Sequence, residues 1–276
     1  AQERTQGRAI GTAKTDVSPI IEHPDVRRML MTMKAYNEAC RGLLYDTAAA
    51  GERAHRASDE GDRKAAAARV ALLTPVAKAW CTDVGVTMTS IAVQVHGGMG
   101  YVEESGAPQH YRDARITPIY EGTNGIQAID LVMRKLPMAD GSVVRSFLDE
   151  MAELDGPLAN AGEPRLDSIR EPLAAAVAPL REATEWLLAC EDPNDRLAGA
   201  TPYLDMFGTV AGGAYLARLA IAAAGEDRDE WMEAKIDTAV FYAHQILPRA
   251  AGWLSSITAG AGELFAVPVE GLEPSR

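Results

Sequence analysis

The chain has 276 residues, with 39 acidic and 27 basic side chains and a net charge of −12. At about 150 residues per domain this is two domains or one large one, and 47% hydrophobic residues supply a sizeable core. The 24% of charged residues excludes wholesale disorder, and the acidic balance excludes nucleic-acid binding by simple phosphate neutralisation. Cys40, Cys81 and Cys190 are odd in number and far apart, which reads as reduced thiols in a cytoplasmic protein rather than a disulfide framework. No apolar stretch reaches the roughly 18 residues of a membrane span. The start at Ala1-Gln2-Glu3-Arg4 lacks a Met and an apolar signal core, so the expectation is a fragment of a longer protein.

Ala and Leu dominate and β-branched alternation is scarce, so the chain reads as all-α. Residues 1–8 read as the end of a helix closed near Gly11, followed by a loop over 12–23. Pro24 opens a long amphipathic helix over 24–50 with Met29, Leu30, Met33, Tyr36 and Leu43 at three-to-four spacing. The polar, glycine-containing stretch 51–62 is its turn. A second long helix covers 62–95 and is kinked at Pro75. A glycine-rich segment, 94–108, interrupts the helical pattern. A short helix over 109–115 ends at Pro118, and another runs over 122–135. Residues 137–142 read as a linker. Four further amphipathic patterns, at 143–160, 166–190, 195–225 and 228–258, precede an extended tail. The expected architecture is a four-helix up-down bundle followed by a second antiparallel helical bundle with short loops. The domains are residues 1–136, a linker 137–142 and an extension 143–276.

Three segments are candidates for chemistry. Glu121 follows a proline-stopped loop beside Gly122, which suits a pre-aimed general base; an acid complementing a helix N-terminus is the commoner local explanation. The glycines of 94–101 let a backbone approach a phosphate, or simply cap the preceding helix. They follow a helix rather than a strand, so they are no dinucleotide fingerprint. Arg112 and Arg115 can hold a phosphate, or form a structural network with Asp113. The five histidines (His23, His55, His96, His110 and His244) show no metal-ligand spacing, and no nucleophile elbow or Cys–His pair is evident.

In chain order, Gln-x-x-Gly-Gly-x-Gly-Tyr at 94–101, Tyr-Arg-Asp-Ala-Arg at 111–115 and Ile-Tyr-Glu-Gly-Thr-Asn-x-Ile-Gln at 119–127 resemble the acyl-CoA dehydrogenase family. Glu3-Arg4-Thr5-Gln6-Gly7-Arg8 resembles the turn that opens the family's C-terminal helical domain. The resemblance covers residues 1–136. Residues 143–276 resemble, by architecture, the extra helical region of the larger bacterial and very-long-chain members. It implies α,β-dehydrogenation of an acyl-CoA thioester in fatty-acid β-oxidation or related catabolism, with Glu121 removing the α-proton and FAD taking the β-hydride. Preset donors that polarise the thioester carbonyl would make that proton acidic. Tyr120 and Gly122 would line the acyl channel. FAD would be held by Arg4, by Gln94, Val95, His96, Gly97 and Gly98 reaching a neighbouring subunit's cofactor, and by Thr123 and its neighbours. Gln6 and Gly125 depart from the common family pattern, and Gln6 and Asn124 are the substitute hydrogen-bond partners. The implied partners are the missing N-terminal half, an electron-transfer flavoprotein and a second copy in a homodimer. A non-catalytic helical partner subunit and an acyl-CoA oxidase relative are the alternatives.

Overall fold

The computed structural model describes residues 1–11, 17–225 and 228–273. Among these no strand forms, and extended pairing is confined to an isolated bridge between Thr5 and Pro19. That bridge corrects the helical reading of residues 1–8. The segment runs beside residues 17–20, with Ser18 N–H donating to Gly7 O at 3.0 Å and Ile20 N–H to Arg4 O at 2.8 Å. Gly7 sits at φ +64°, and an isolated helix of fewer than about 12 residues is marginal in water. Residues 12–16 of the expected loop lie outside the described residues.

Helix α1 (Pro24–Arg56) starts with Pro at its first position and Asp25 in its first turn, both favourable at a helix N-terminus. Helix α2 (Glu60–His96) returns antiparallel and continues through Pro75. The turn between them is only 57–59, much shorter than the polar stretch 51–62 that was expected. Two contacts tighten it: Asp59 accepts from Asp62 N–H at 2.9 Å as an N-cap, and Arg63 donates to the carbonyls of Ala57 and Ser58. Helices α3 (Gly98–Tyr101) and α4 (Ala107–Ile116) follow, then α5 (Asn124–Asp130), which passes into a π-helical turn over Leu131–Lys135. The expected linker is a tight turn, Met138–Gly141, with Ala139 and Asp140 in the left-handed region.

Beyond it, α6 (Ser142–Ala152), α7 (Asp155–Ala159), α8 (Pro164–Ala189), α9 (Pro193–Ala198), α10 (Ala200–Ala223), α11 (Glu230–Gln245) and α12 (Leu254–Thr258) complete the chain. The pattern at 228–258 reads as one helix, yet it is divided between α11 and α12. A 3-10 segment, Leu247–Trp253, intervenes, because Pro248 cannot donate to the ladder.

The fold is the expected all-helical, antiparallel one, and its two bundles share a single core. One buried cluster runs from Ala35 through Trp80 and Phe147 to Ile257. Helix α10 is its axis, packed against α8 and α11 on one side and α1, α2 and α5 on the other. Helix α10 is long and apolar enough to cross a membrane, contrary to the sequence expectation, but 78% of its apolar stretch is buried inside the protein. Glycines permit its close approach. A Cβ at Gly208 would lie 2.2 Å from Trp80 Cγ, and one at Gly213 would lie 2.7 Å from a Leu247 methyl.

A polar network ties the halves beside this core. Arg69 on α2 donates to Asp46 on α1 at 2.8 Å and, through one terminal nitrogen, to both carboxylate oxygens of Glu150 on α6 at 2.7 and 2.9 Å. Its guanidinium also lies 4.9 Å from the Phe147 ring centroid. Those carboxylates hold Arg69 in its charged form still more firmly than usual, outweighing its partial burial.

Candidate functional site

Glu121 lies in the bend between α4 and α5, not inside a helix. Its φ is +53° and that of Gly122 is +84°. A non-glycine residue there costs on the order of 1 kcal/mol or more and persists only when its surroundings enforce it. Tyr120 N–H donates back to Ile116 O, and Asn124 N–H reaches over the loop to Pro118 O at 3.0 Å. Thr123 caps α5 by accepting from Ile126 N–H. The Asn124 side chain then pins the loop to α2. Its Oδ1 accepts from Lys78 Nζ at 2.7 Å, and its Nδ2 donates to Ala79 O at 3.1 Å and Thr82 Oγ1 at 2.9 Å.

The pinned loop presents Glu121 outward. Its carboxylate is exposed and makes no hydrogen bond or ion pair with any described residue. The backbone N–H groups of Glu121 and Gly122 are also unused within the described chain. Tyr120 is half exposed beside them, and Gly125 is exposed on the first turn of α5. A free carboxylate flanked by free N–H donors on a rigid loop can take a proton while the donors hold a developing oxyanion. A Cβ at Gly122 would meet Gln127 Nε2 at 3.1 Å in a strained backbone conformation, so that position admits only glycine comfortably.

The second cluster assembles at the C-terminus of α2. Arg4 donates to His96 O at 3.3 Å and to Gln6 Oε1 at 3.3 Å. Its guanidinium lies 3.8 Å from where a Gly97 Cβ would be, and nothing crowds Gly98. Unpaired carbonyls at a helix C-terminus attract a cation, which explains why the arm settles there. The Gln6 carbonyl is within hydrogen-bond distance of His23 Nε2 at 2.7 Å, fixing the arm to the start of α1. Gln94 and His96 are exposed and Val95 is partly buried. Arg4 has no carboxylate partner among the described residues, so the patch can hold an anion such as a diphosphate.

The structure thus brings Arg4, Gln6 and 94–98 together, and separately Tyr120, Glu121, Gly122, Thr123 and Gly125. It does not merge the two groups. The base loop sits on α2 at Lys78–Thr82, about four turns or roughly 24 Å along the helix from His96. The side chain of Asn124, expected as a cofactor contact, is engaged by α2 in this structure. Sequence reasoning missed Lys78 and Thr82, which lie more than 40 positions from the loop they hold. It also missed the left-handed Glu121, for which the adjoining Gly122 was the available signal. Arg112 pairs with Glu103 through two parallel bonds of 2.8 and 2.6 Å rather than with Asp113, and Asp113 accepts from Gln109. Around the base loop, Ile116, Ile119, Tyr120 and Ile126 are about half exposed, an apolar face of the kind that another protein surface covers.

The profile "Acyl-CoA dehydrogenase, C-terminal domain" matches residues 4–136, and "Acetyl-CoA dehydrogenase C-terminal like" matches residues 144–268. The chain is 40% identical over 264 residues to a 3-methylmercaptopropionyl-CoA dehydrogenase of Ruegeria pomeroyi, covering 94% of this chain and 45% of that protein. It is 31% identical to a butyryl-CoA dehydrogenase of Syntrophomonas wolfei, over 91% of this chain and 42% of the other. The chain therefore spans less than half the length of these relatives. In fold it is similar to Caenorhabditis elegans ACDH-11, crystallised with C11-CoA, at a TM-score of 0.70 and 20% identity, over 89% of this chain and 41% of that one.

Proposed function

Because the chain belongs to the acyl-CoA dehydrogenase family, as its C-terminal helical region, we propose that it carries the proton-abstracting half of an FAD-dependent acyl-CoA dehydrogenase. The observation that carries this reading is the left-handed Glu121, with its free carboxylate and free flanking N–H groups. Glu121 takes the α-proton of an acyl-CoA thioester. The backbone N–H groups of Glu121 and Gly122 meet the thioester oxygen as negative charge develops there, and Tyr120 and Gly122 shape the channel. FAD, when bound, supplies the acceptor for the hydride that leaves the β-carbon.

The Arg4 patch fits FAD by charge. Arg4 is unpaired by any carboxylate of the described residues, and the open backbone at Gly97 and Gly98 leaves room for a diphosphate. Arg4, Gln6 and Gln94–Gly98 would hold one cofactor there, and Thr123 and Gly125 would contact the cofactor at the base loop. The separation of the two clusters favours their serving different cofactor molecules in a homodimer. The exposed apolar face around Glu121 takes the N-terminal half, which completes the acyl pocket. An electron-transfer flavoprotein is the proposed electron acceptor and the cytoplasm the proposed compartment. The first substrates to test are 3-methylmercaptopropionyl-CoA and butyryl-CoA, which the named relatives act on.

The test is anaerobic flavin bleaching by these thioesters in the complete enzyme, beside its Glu121→Gln variant. The wild type should bleach. The variant should retain flavin and bind the thioester, yet its flavin should be reduced slower by about 10²- to 10⁴-fold. Bleaching at the wild-type rate in Glu121→Gln would remove Glu121 from the mechanism.

A further inference from the structure

The groove between α1, α10 and α11 holds a cluster of side chains that the proposed reaction does not use. Its cavity is about 520 Å³, the size of small-molecule sites. Three of the four cation–aromatic stacks among the described residues lie on its walls: Arg41 on Tyr45 at 5.5 Å, Arg218 on Tyr215 at 5.8 Å and Lys235 on Trp231 at 4.6 Å. One wall is rigid. A Cβ at Gly42 would lie 2.8 Å from Tyr215 Cβ, so α1 and α10 touch there, and Tyr215 Oη donates to Asp46 at 2.8 Å. Tyr45 and Trp231 are exposed by 63% and 64%.

The polar groups of the groove are incompletely satisfied. Glu38 is 8% exposed, and its Oε1 takes Lys34 at 2.5 Å and Lys235 at 3.0 Å. Its Oε2 is buried with no hydrogen-bond partner, and such an orphan in a native protein calls for a donor. Asn37 lines the same groove with an exposed amide that bonds no described residue. An amide offers the donor and acceptor pair that reads the adenine amine and its neighbouring ring nitrogen. Among the described residues Arg41 has no carboxylate within ion-pair distance and directs one hydrogen bond, to Tyr45 Oη at 2.9 Å. Its remaining guanidinium donors suit a phosphate.

We propose that this groove binds an adenine nucleotide, with the base on Trp231, its amine toward Asn37 and Glu38, and its phosphates on Arg41, beside Arg218, which also pairs with Glu150 at 3.2 Å. The site is separate from the Arg4 patch. The arm of Arg4 is fixed at His23, and Arg41 lies about 27 Å farther along α1 by helical rise. The same chemistry is carried by a free mononucleotide and by the adenosine diphosphate end of coenzyme A.

The test is calorimetric titration of the full chain with AMP, ADP, inosine monophosphate and coenzyme A. AMP or ADP should bind one per chain. Inosine monophosphate, which has a carbonyl where adenine has the amine, should bind at least about 10-fold more weakly, because an unmatched polar partner is strongly rejected. Arg41→Ala and Trp231→Ala should each weaken AMP by about 10-fold or more with an unchanged melting temperature, and Arg4→Ala should leave it unchanged. Competition of coenzyme A with AMP would identify the coenzyme end as a natural occupant. Absence of competition alongside AMP binding would identify the free nucleotide. No saturable AMP or ADP binding, equal affinity for inosine monophosphate, or loss in Arg4→Ala with retention in Arg41→Ala would overturn the proposal.

Discussion

Replacing Gly208 by Ala tests whether α10 unites the two halves of the chain. The new Cβ would lie 2.2, 2.5 and 2.6 Å from Trp80 Cγ, Cδ1 and Cδ2, where carbon atoms prefer about 3.5–4.0 Å. The indole, or α10 itself, must therefore move by more than about 1 Å. Trp80 is 2% exposed and packs against Tyr36 at 6.1 Å between centroids, so it has little free space to enter. Such overpacking costs about 1–3 kcal/mol, sometimes more, while Gly→Ala in a helix gains up to about 1 kcal/mol. The expected net loss is about 2 kcal/mol, read as a lower urea midpoint with an unchanged slope. Trp80→Phe should partly relieve the clash, giving a coupling of at least about 1 kcal/mol in the double-variant cycle. Unaltered stability in Gly208→Ala, or strict additivity with Trp80→Phe, would refute the contact as a constraint.

Asp205 on α10 should give stability a pH dependence. Burial first, then the charge of Asp83, push its carboxyl from 3.8 up to about 6. The folded protein therefore holds this proton to higher pH than the unfolded chain. The Asp205 contribution is most favourable below about pH 4 and falls as pH rises through 6, by up to about 3 kcal/mol. The stability difference between Asp205→Asn and wild type should grow in favour of the variant from pH 4 to 8; a difference constant with pH would contradict the assignment. Arg69→Met should cost about 2 kcal/mol by thermal unfolding, since Asp46 and Glu150 lose the partner that joins the halves and keep only Tyr215 and Arg218. A wild-type melting temperature would show that the network does not hold them.

Much of the fold was legible because helix formation is local. The apolar spacing from Met29 to Leu43 and the placement of Pro24 mark α1 without knowledge of what it packs against. Local signals erred where a cap outweighed composition. The polar stretch 51–62 reads as loop, but Asp59 and Arg63 compress the turn and both helices extend into that stretch. They erred again at residues 1–8, where pairing with 17–20 replaced the expected helix. The candidate site was legible as segments. Gly97 and Gly122 mark places where the backbone needs φ above zero, and glycine supplies that cheaply.

The sequence by itself determined an all-helical chain, its helix order and the two segments that carry Glu121 and Gln94–Gly98, since periodicity, caps and glycines act within a few residues. Only the tertiary structure decided that Arg4 meets His96 across 92 positions, that Lys78 and Thr82 hold the Glu121 loop, and that α10 is a shared axis rather than a member of a separate bundle. Those outcomes depend on which faces meet. Contacts between distant positions are selected by shape and partner satisfaction in the packed core, and no local pattern encodes them.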